Sequence, residues 1–270
     1  KIMFKILFNK NKHINNYWFI IFFLIISAMI FLFIFVPIIT MFLNPGDISS
    51  AMADKEVIKS ILVSLKAAFT ATIIALIFGV PLSYILSKYE FKGKNIVEAV
   101  IDIPMAIPHS VIGIMILTVI YGTTIGTVLN NYGVMIVDNF WGIVVVMLYT
   151  GLPFMVNSAK NGFSMIDEEL ENVSRTLGAP QFKTFFNISL PLIKNNLISG
   201  SILTFARGIS EVGAILIVAY FPKTAPVLIL DRFNEYGLSA SKPIAVIMIM
   251  VSMILFAMLR VFQSKNDRDK

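Results

Sequence analysis

The 270-residue sequence has no cysteine, so disulfides, thiolate metal sites and thiol nucleophiles are excluded. Its two histidines, His13 and His109, are too few and too widely spaced to form a metal-ligand pattern, and no metal site is expected. No H-E-x-x-H occurs, and neither histidine has a sequence-adjacent partner for nucleophilic catalysis, which argues against an intramembrane enzyme. No G-x-x-x-x-G-K-S/T occurs either. The nearest fragment, Gly93-Lys94-Asn95, has neither the first glycine nor the hydroxyl, so the chain cannot cradle ATP phosphates by that route. Charge is scarce as well, at 14% of residues, against about 25% in soluble domains. Apolar residues make up 57%, and the bilayer is the first reading for such a chain.

A membrane-spanning helix needs about 20 apolar residues. Six runs satisfy this, at about 17–43, 57–86, 98–121, 140–163, 192–220 and 243–261. The first is read as a span and not as a signal peptide, because it is too long and no small-residue cleavage site follows it. Tyr17, Trp18 and Phe19 at its start suit a headgroup-level aromatic belt. Six crossings place both termini on one side. The termini and even loops carry fifteen basic residues, from Lys1, Lys5, Lys10 and Lys12 to Lys270, whereas the odd loops carry four, Lys55, Lys223, Arg232 and Lys242. By the positive-inside rule both termini are cytoplasmic. The net charge of +6 is therefore an orientation device, and nucleic-acid binding is a poor reading.

Gly79, Pro81, Pro104, Pro108 and Pro153 punctuate the spans and predict bent helices around a path. Gly122 and Gly126 form a small-xxx-small pair at the outer end of span three. Arg207 and Glu211 lie mid-span at i, i+4, where a charge costs about 2.5–3.5 kcal/mol and must face protein or water. They either pair with each other or another helix to hold the bundle, or line a path with Ser210. Lys66 is read as snorkelling to the surface, Asp102 as having a local partner and His109 as a packed polar residue. Phe221–Lys242 is read as a long outer loop that is re-entrant or receives a partner.

Between spans four and five lies a polar stretch, 164–191. Ser164 and Asp167 stand in capping-box spacing, with Asp167 an alternative cap, and Glu168, Glu169 and Glu171 follow in the first turns. Ile166, Leu170, Val173 and Leu177 form one apolar stripe, Arg175 lies in the last turn, and Gly178 suits a left-handed C-cap. A second helix follows Pro180, with Phe182, Phe185, Phe186 and Ser189 on one face and Pro191 as its stop. Such a hairpin either lies on the headgroups or inserts into a groove on a partner protein. Its acidic first half would be repelled by anionic lipid, which favours a protein partner.

Aligned on Gly178, this stretch resembles the cytoplasmic EAA loop of permease subunits of ATP-binding-cassette importers. Ile188, Leu190 and Pro191 match its I-x-L-P, while the E-A-A triplet falls on Asn172, Val173 and Ser174 and is missing. Phe78–Lys94 resembles the span-two ending of these permeases. Ile103–Gly113 is similar to a proline-rich segment of the molybdate and sulfate branch, with His109 where a second proline is common. Phe205–Ile229 resembles span five of the molybdate/tungstate permeases. The resemblance implies a single all-α integral membrane permease domain over 1–270, with six transmembrane helices and a cytoplasmic coupling-helix hairpin. It implies that Glu169, Leu170, Val173, Arg175, Leu177, Gly178, Phe182, Phe185 and Phe186 couple to an ATPase. ATP and Mg would sit on that partner, present in two copies, and this chain would bind no cofactor. A second copy of the permease and an extracytoplasmic substrate-binding protein are the other implied partners. The cargo would be molybdate or tungstate, with sulfate, thiosulfate or phosphate as alternatives, moved by alternating access. An ion-coupled secondary transporter would need matching broken helices in two halves, and no such symmetry is visible.

Overall fold

The computed structural model describes residues 17–268. The basic residues Lys1, Lys5, Lys10, Lys12 and Lys270, and His13, lie outside the described residues. The chain divides into two compact units, residues 1–45 and 46–270. In the first, α1 (Tyr17–Leu43) is apolar on every side and long enough to cross a bilayer.

The second unit is helical throughout its described residues. A short α2 (Ile48–Ala53) leads into α3 (Lys55–Lys88), which starts at Asp54, whose carboxylate accepts from the Glu56 N–H at 2.8 Å. The face of α3 turned inward carries small residues at helical spacing: Ser60, Ser64, Ala68, Ala71, Ala75, Gly79 and Ser83. That seam lets α7 (Phe140–Ser164) approach along most of its length. The Ser83 hydroxyl donates to the Gly79 and Val156 carbonyls at 2.6 and 3.0 Å, so it is satisfied without water. α11 (Lys194–Ile209) packs against both α7 and α3. Val57, Ile61, Ile143, Met147 and Leu228 belong to the main apolar core, while Val80, Ala159, Phe163 and Ile193 form a second one nearer the hairpin.

Among the described residues four helices are long and apolar enough to cross, with one bent pair that would make a fifth. That pair is α4 (Lys94–Ala106) and α5 (His109–Gly122), bent by 118°. The third run is thus bent, as its prolines led one to expect, but sharply enough to divide it into two helices, and the cause is local. Pro108 restricts Ile107 to extended backbone at φ −83, ψ 137, and Pro108 itself has ψ 138. Two extended residues in a row turn the chain. The expected Gly122–Gly126 packing pair is not one either: Gly122 ends α5, and Gly126 lies in α6 (Thr124–Asn131), against the Ile120 carbonyl.

The fifth run is also divided. α11 stops at Ile209, and α12 (Gly213–Val218) starts after a three-residue break. The expected outer loop is largely helical: α13 (Ala225–Tyr236) buries Val227 and Leu228, turns at Gly237, and leads into α14 (Leu238–Arg268). Between α7 and α11 lie α8 (Glu168–Thr176), α9 (Gln181–Thr184), a π turn at Phe185–Ser189 and the short α10 (Leu190–Leu192).

Candidate functional site

Two regions bring chemistry-bearing residues together: the hairpin of α8 and α9, and the meeting point of the two broken runs.

In the hairpin, Asp167 is the cap, its carboxylate accepting from the Glu169 N–H at 3.0 Å. The end of α8 is a Schellman closure. The Gly178 N–H donates to the Arg175 carbonyl at 2.9 Å and the Ala179 N–H to the Ser174 carbonyl at 3.1 Å. Gly178 has φ +88, which side chains resist. Leu170, Val173, Leu177, Phe182 and Phe186 are exposed, as are Glu169 and Arg175, and Leu170, Val173 and Leu177 line an open apolar groove with Ile188. Phe185 is different. It points inward against Tyr84 and Phe163, at ring separations of 5.0 and 6.0 Å. Ser189 is fully buried too. The single face expected for Phe182, Phe185, Phe186 and Ser189 is therefore split. Pro191 does not stop the helix. The π turn just before it, where the Leu190 N–H donates to the Phe185 carbonyl, takes up an extra residue and carries the helix through to Leu192.

Sequence reasoning missed what anchors the hairpin. Glu171 lies 3.2 Å from Lys88 Nζ at the end of α3, and it accepts from the Ser189 hydroxyl at 2.6 Å. Gln181 Nε2 donates to the Tyr89 hydroxyl at 2.7 Å, and Ser174 and Thr184 hydroxyls meet at 3.0 Å. The acidic excess at 168–171 was the one available signal, because it held more carboxylates than a helix dipole requires.

At the second region, Glu211 is completely buried and sits inside the break between α11 and α12. Its Oε2 accepts from His109 Nδ1–H at 2.6 Å and from Arg207 Nη1 at 3.0 Å, while its Oε1 accepts from the Ala214 N–H at 3.2 Å. The carboxylate thus caps α12, ties down Arg207 and holds the first residue of α5. Arg207 Nη2 lies 3.1 Å from both ring nitrogens of His109, Nδ1 and Nε2, so the guanidinium sits against the imidazole ring. Glycines allow this closeness: a Cβ on Gly213 would lie 3.0 Å from His109 Cβ, and one on Gly113 would lie 2.8 Å from Ile217 Cβ. His109 and Ser210 are exposed and Arg207 is partly so, with the Ser210 hydroxyl donating to the Arg207 carbonyl at 3.0 Å. The group offers a guanidinium edge, an imidazole and a hydroxyl around a carboxylate that is already satisfied. Such a site can hold an anion weakly.

Asp102 accepts from Asn157 Nδ2 at 2.8 Å, and Lys160 pairs with Glu98 at 3.2 Å, so α4 is pinned to α7. Lys66 is exposed on α3. On the outer segment, a hydrogen bond from Lys223 to Asp231 and the charge of that carboxylate push the lysine above its ordinary pKa.

Residues 79–268 match the family of binding-protein-dependent transport system inner membrane components. The chain is 62% identical over 241 residues to the molybdate/tungstate transport system permease protein WtpB of Methanocaldococcus jannaschii, covering 89% of this chain and 95% of that protein. It is 47% identical over 239 residues to the protein of the same description from Pyrococcus furiosus, covering 87% and 91%. In fold it is similar to a chain of a bacterial alginate ABC transporter solved with an alginate pentasaccharide-bound periplasmic protein. That match has a TM-score of 0.72 at 16% identity, over 95% of this chain and 96% of the other.

Proposed function

The chain belongs to the family of binding-protein-dependent transport system inner membrane components, the permease subunits of ABC importers, and from that premise we propose that it passes molybdate or tungstate into the cytoplasm. The observation that carries this reading is its likeness, over most of both chains, to an archaeal molybdate/tungstate permease. The protein performs no bond chemistry. ATP and Mg belong to a separate ATPase subunit, since this chain has no nucleotide-binding motif. An extracytoplasmic binding protein delivers the oxyanion.

In this reading there are six crossings with both termini cytoplasmic: α1, α3, the bent pair α4–α5, α7, the broken pair α11–α12, and α14. Residues 164–191 form the coupling hairpin. Its exposed Leu170, Val173, Leu177, Phe182 and Phe186 fit a cleft on the ATPase, and Glu169 and Arg175 flank them. Gly178 shapes the turn, and Phe185 ties the hairpin to the bundle. Two ATPases working as a pair call for two permeases, with the path on their two-fold axis. Arg207, Ser210 and His109 line that path, with Glu211 buried behind them as the counter-charge to Arg207. Arginine attracts the dianion, and Glu211 keeps the attraction weak enough for release.

The test is uptake by vesicles holding permease, ATPase and binding protein, using labelled molybdate with unlabelled competitors. Molybdate and tungstate should compete with each other far better than sulfate, thiosulfate or phosphate does. Equal competition by sulfate would move the cargo to that class. ATP-independent uptake driven by a proton gradient would overturn the assignment altogether.

A further inference from the structure

α3 is an unbroken helix of 34 residues, about 51 Å long at 1.5 Å per residue, and both its ends are clamped by charge. At the hairpin end Lys88 Nζ meets Glu171 Oε2 at 3.2 Å, with side chains only 9% and 13% exposed. The same ammonium reaches the Ile166 carbonyl at 3.4 Å, and Ser189 donates to the other Glu171 oxygen at 2.6 Å. One carboxylate thus joins α3, the first helix of the hairpin and the π turn of the second. Tyr84, one turn back on α3, adds edge-on ring contacts to Phe163 at 5.2 Å and Phe185 at 5.0 Å. At the opposite end Arg232 on α13 reaches Asp54 at 3.1 Å and Glu56 at 2.9 Å, and Lys223 lies 3.6 Å from Glu56.

The hairpin is therefore divided in purpose. Leu170, Val173, Leu177 and Phe182 face out, whereas Glu171, Ser189 and Phe185 face the membrane bundle. A buried ion pair gives little net stability relative to an apolar pair of the same shape, but it fixes one geometry. Here it fixes the hairpin to a helix whose far end is ion-paired to α13.

We propose that α3 is a strut: Lys88–Glu171 delivers movement of the hairpin to α3, and the Asp54/Glu56–Arg232 clamp delivers it to α13 on the other side. Nucleotide-driven motion inside and the state of the outer segment are then one event. The proposal rests on reading 164–191 as the ATPase-coupling hairpin, and it names Lys88, Glu171 and Arg232 as positioning residues that touch neither cargo nor nucleotide.

The experiment uses the reconstituted complex with Lys183→Cys, an exposed position on α9 beside Phe182, as the only cysteine, so that crosslinking reports ATPase docking separately from coupling. Lys88→Met and, at the other end, Arg232→Gln should each crosslink as the parent does. Each should lose roughly ten-fold in the stimulation of ATP hydrolysis by loaded binding protein, a usual size for coupling between sites. Lys88→Arg should retain the stimulation, and the swap Lys88→Glu with Glu171→Lys should restore it. Should Lys88→Met fail to assemble, Arg232→Gln and the swap carry the test alone. Parental stimulation in both single-end variants, or a swap that docks but does not restore stimulation, would overturn the strut while leaving the hairpin reading standing. Failure of the parent Lys183→Cys protein to capture the ATPase would remove the hairpin reading and the strut with it.

Discussion

Glu211 shows how a single residue can hold two helix breaks in place. A carboxylate with no exposed surface is costly unless its oxygens are met, and here three donors from two runs meet them. Glu211→Gln keeps the shape and removes the charge, leaving Arg207 without its counter-ion. The loss should be about 3 kcal/mol, read as a lower thermal midpoint of the purified protein. Glu211→Gln with Arg207→Met should recover part of that loss, because no orphan cation remains. A single and a double variant with equal midpoints would show that the pair is not the stabilising contact. The i, i+4 pairing was legible from spacing, since helix geometry dictates it. His109 was not, because its partner lies 102 residues away and only the two breaks bring them together.

At the scale of elements, legibility follows how local the cause is. The α8 boundaries could be read because a carboxylate cap, an apolar stripe and a glycine turn are all encoded within a few residues. The π turn could not, because an i→i−5 bond depends on how Phe185 and Ser189 are drawn toward α3 and α7. Likewise the small-residue seam of α3 reads in sequence as mere hydrophobicity until a partner helix lies on it. Two outcomes follow. Gly178→Ala places a methyl group at φ +88 and should cost the hairpin about 1–2 kcal/mol, visible as faster hydrogen exchange over 168–179. Ala71 is fully packed in the α3 seam, so Ala71→Leu should cost about 1–3 kcal/mol through overpacking, seen as a lower midpoint with helix content unchanged. Exchange in the Gly178→Ala hairpin at the parental rate would mean that the turn tolerates a side chain.

For the whole molecule, the class of the chain was legible because length, apolarity and charge asymmetry are bulk properties. Pro104 and Pro108 signalled a bend in the third run, but its size, and the break around Glu211 in the fifth, stayed hidden, since a hydropathy pattern registers neither two extended residues at Ile107–Pro108 nor a turn around a buried carboxylate. Those breaks are where the candidate path sits, and they set the kind of selectivity it can have. Arg207 is already shared between Glu211 and His109, so the formal charge of the three with neutral imidazole is zero. A neutral, pre-satisfied group cannot grip one tetrahedral dianion much better than another. On the proposed function, discrimination between oxyanions then falls to the binding protein, and the path sets speed. Arg207→Gln leaves the group at minus one and repels every dianion alike. Uptake of molybdate and of tungstate should both fall, on the order of ten-fold or more, by the same factor, while crosslinking of Lys183→Cys to the ATPase stays at the parental level. A change in the molybdate-to-tungstate ratio would place selection at Arg207 itself, and unchanged uptake at normal expression would remove Arg207 from the path.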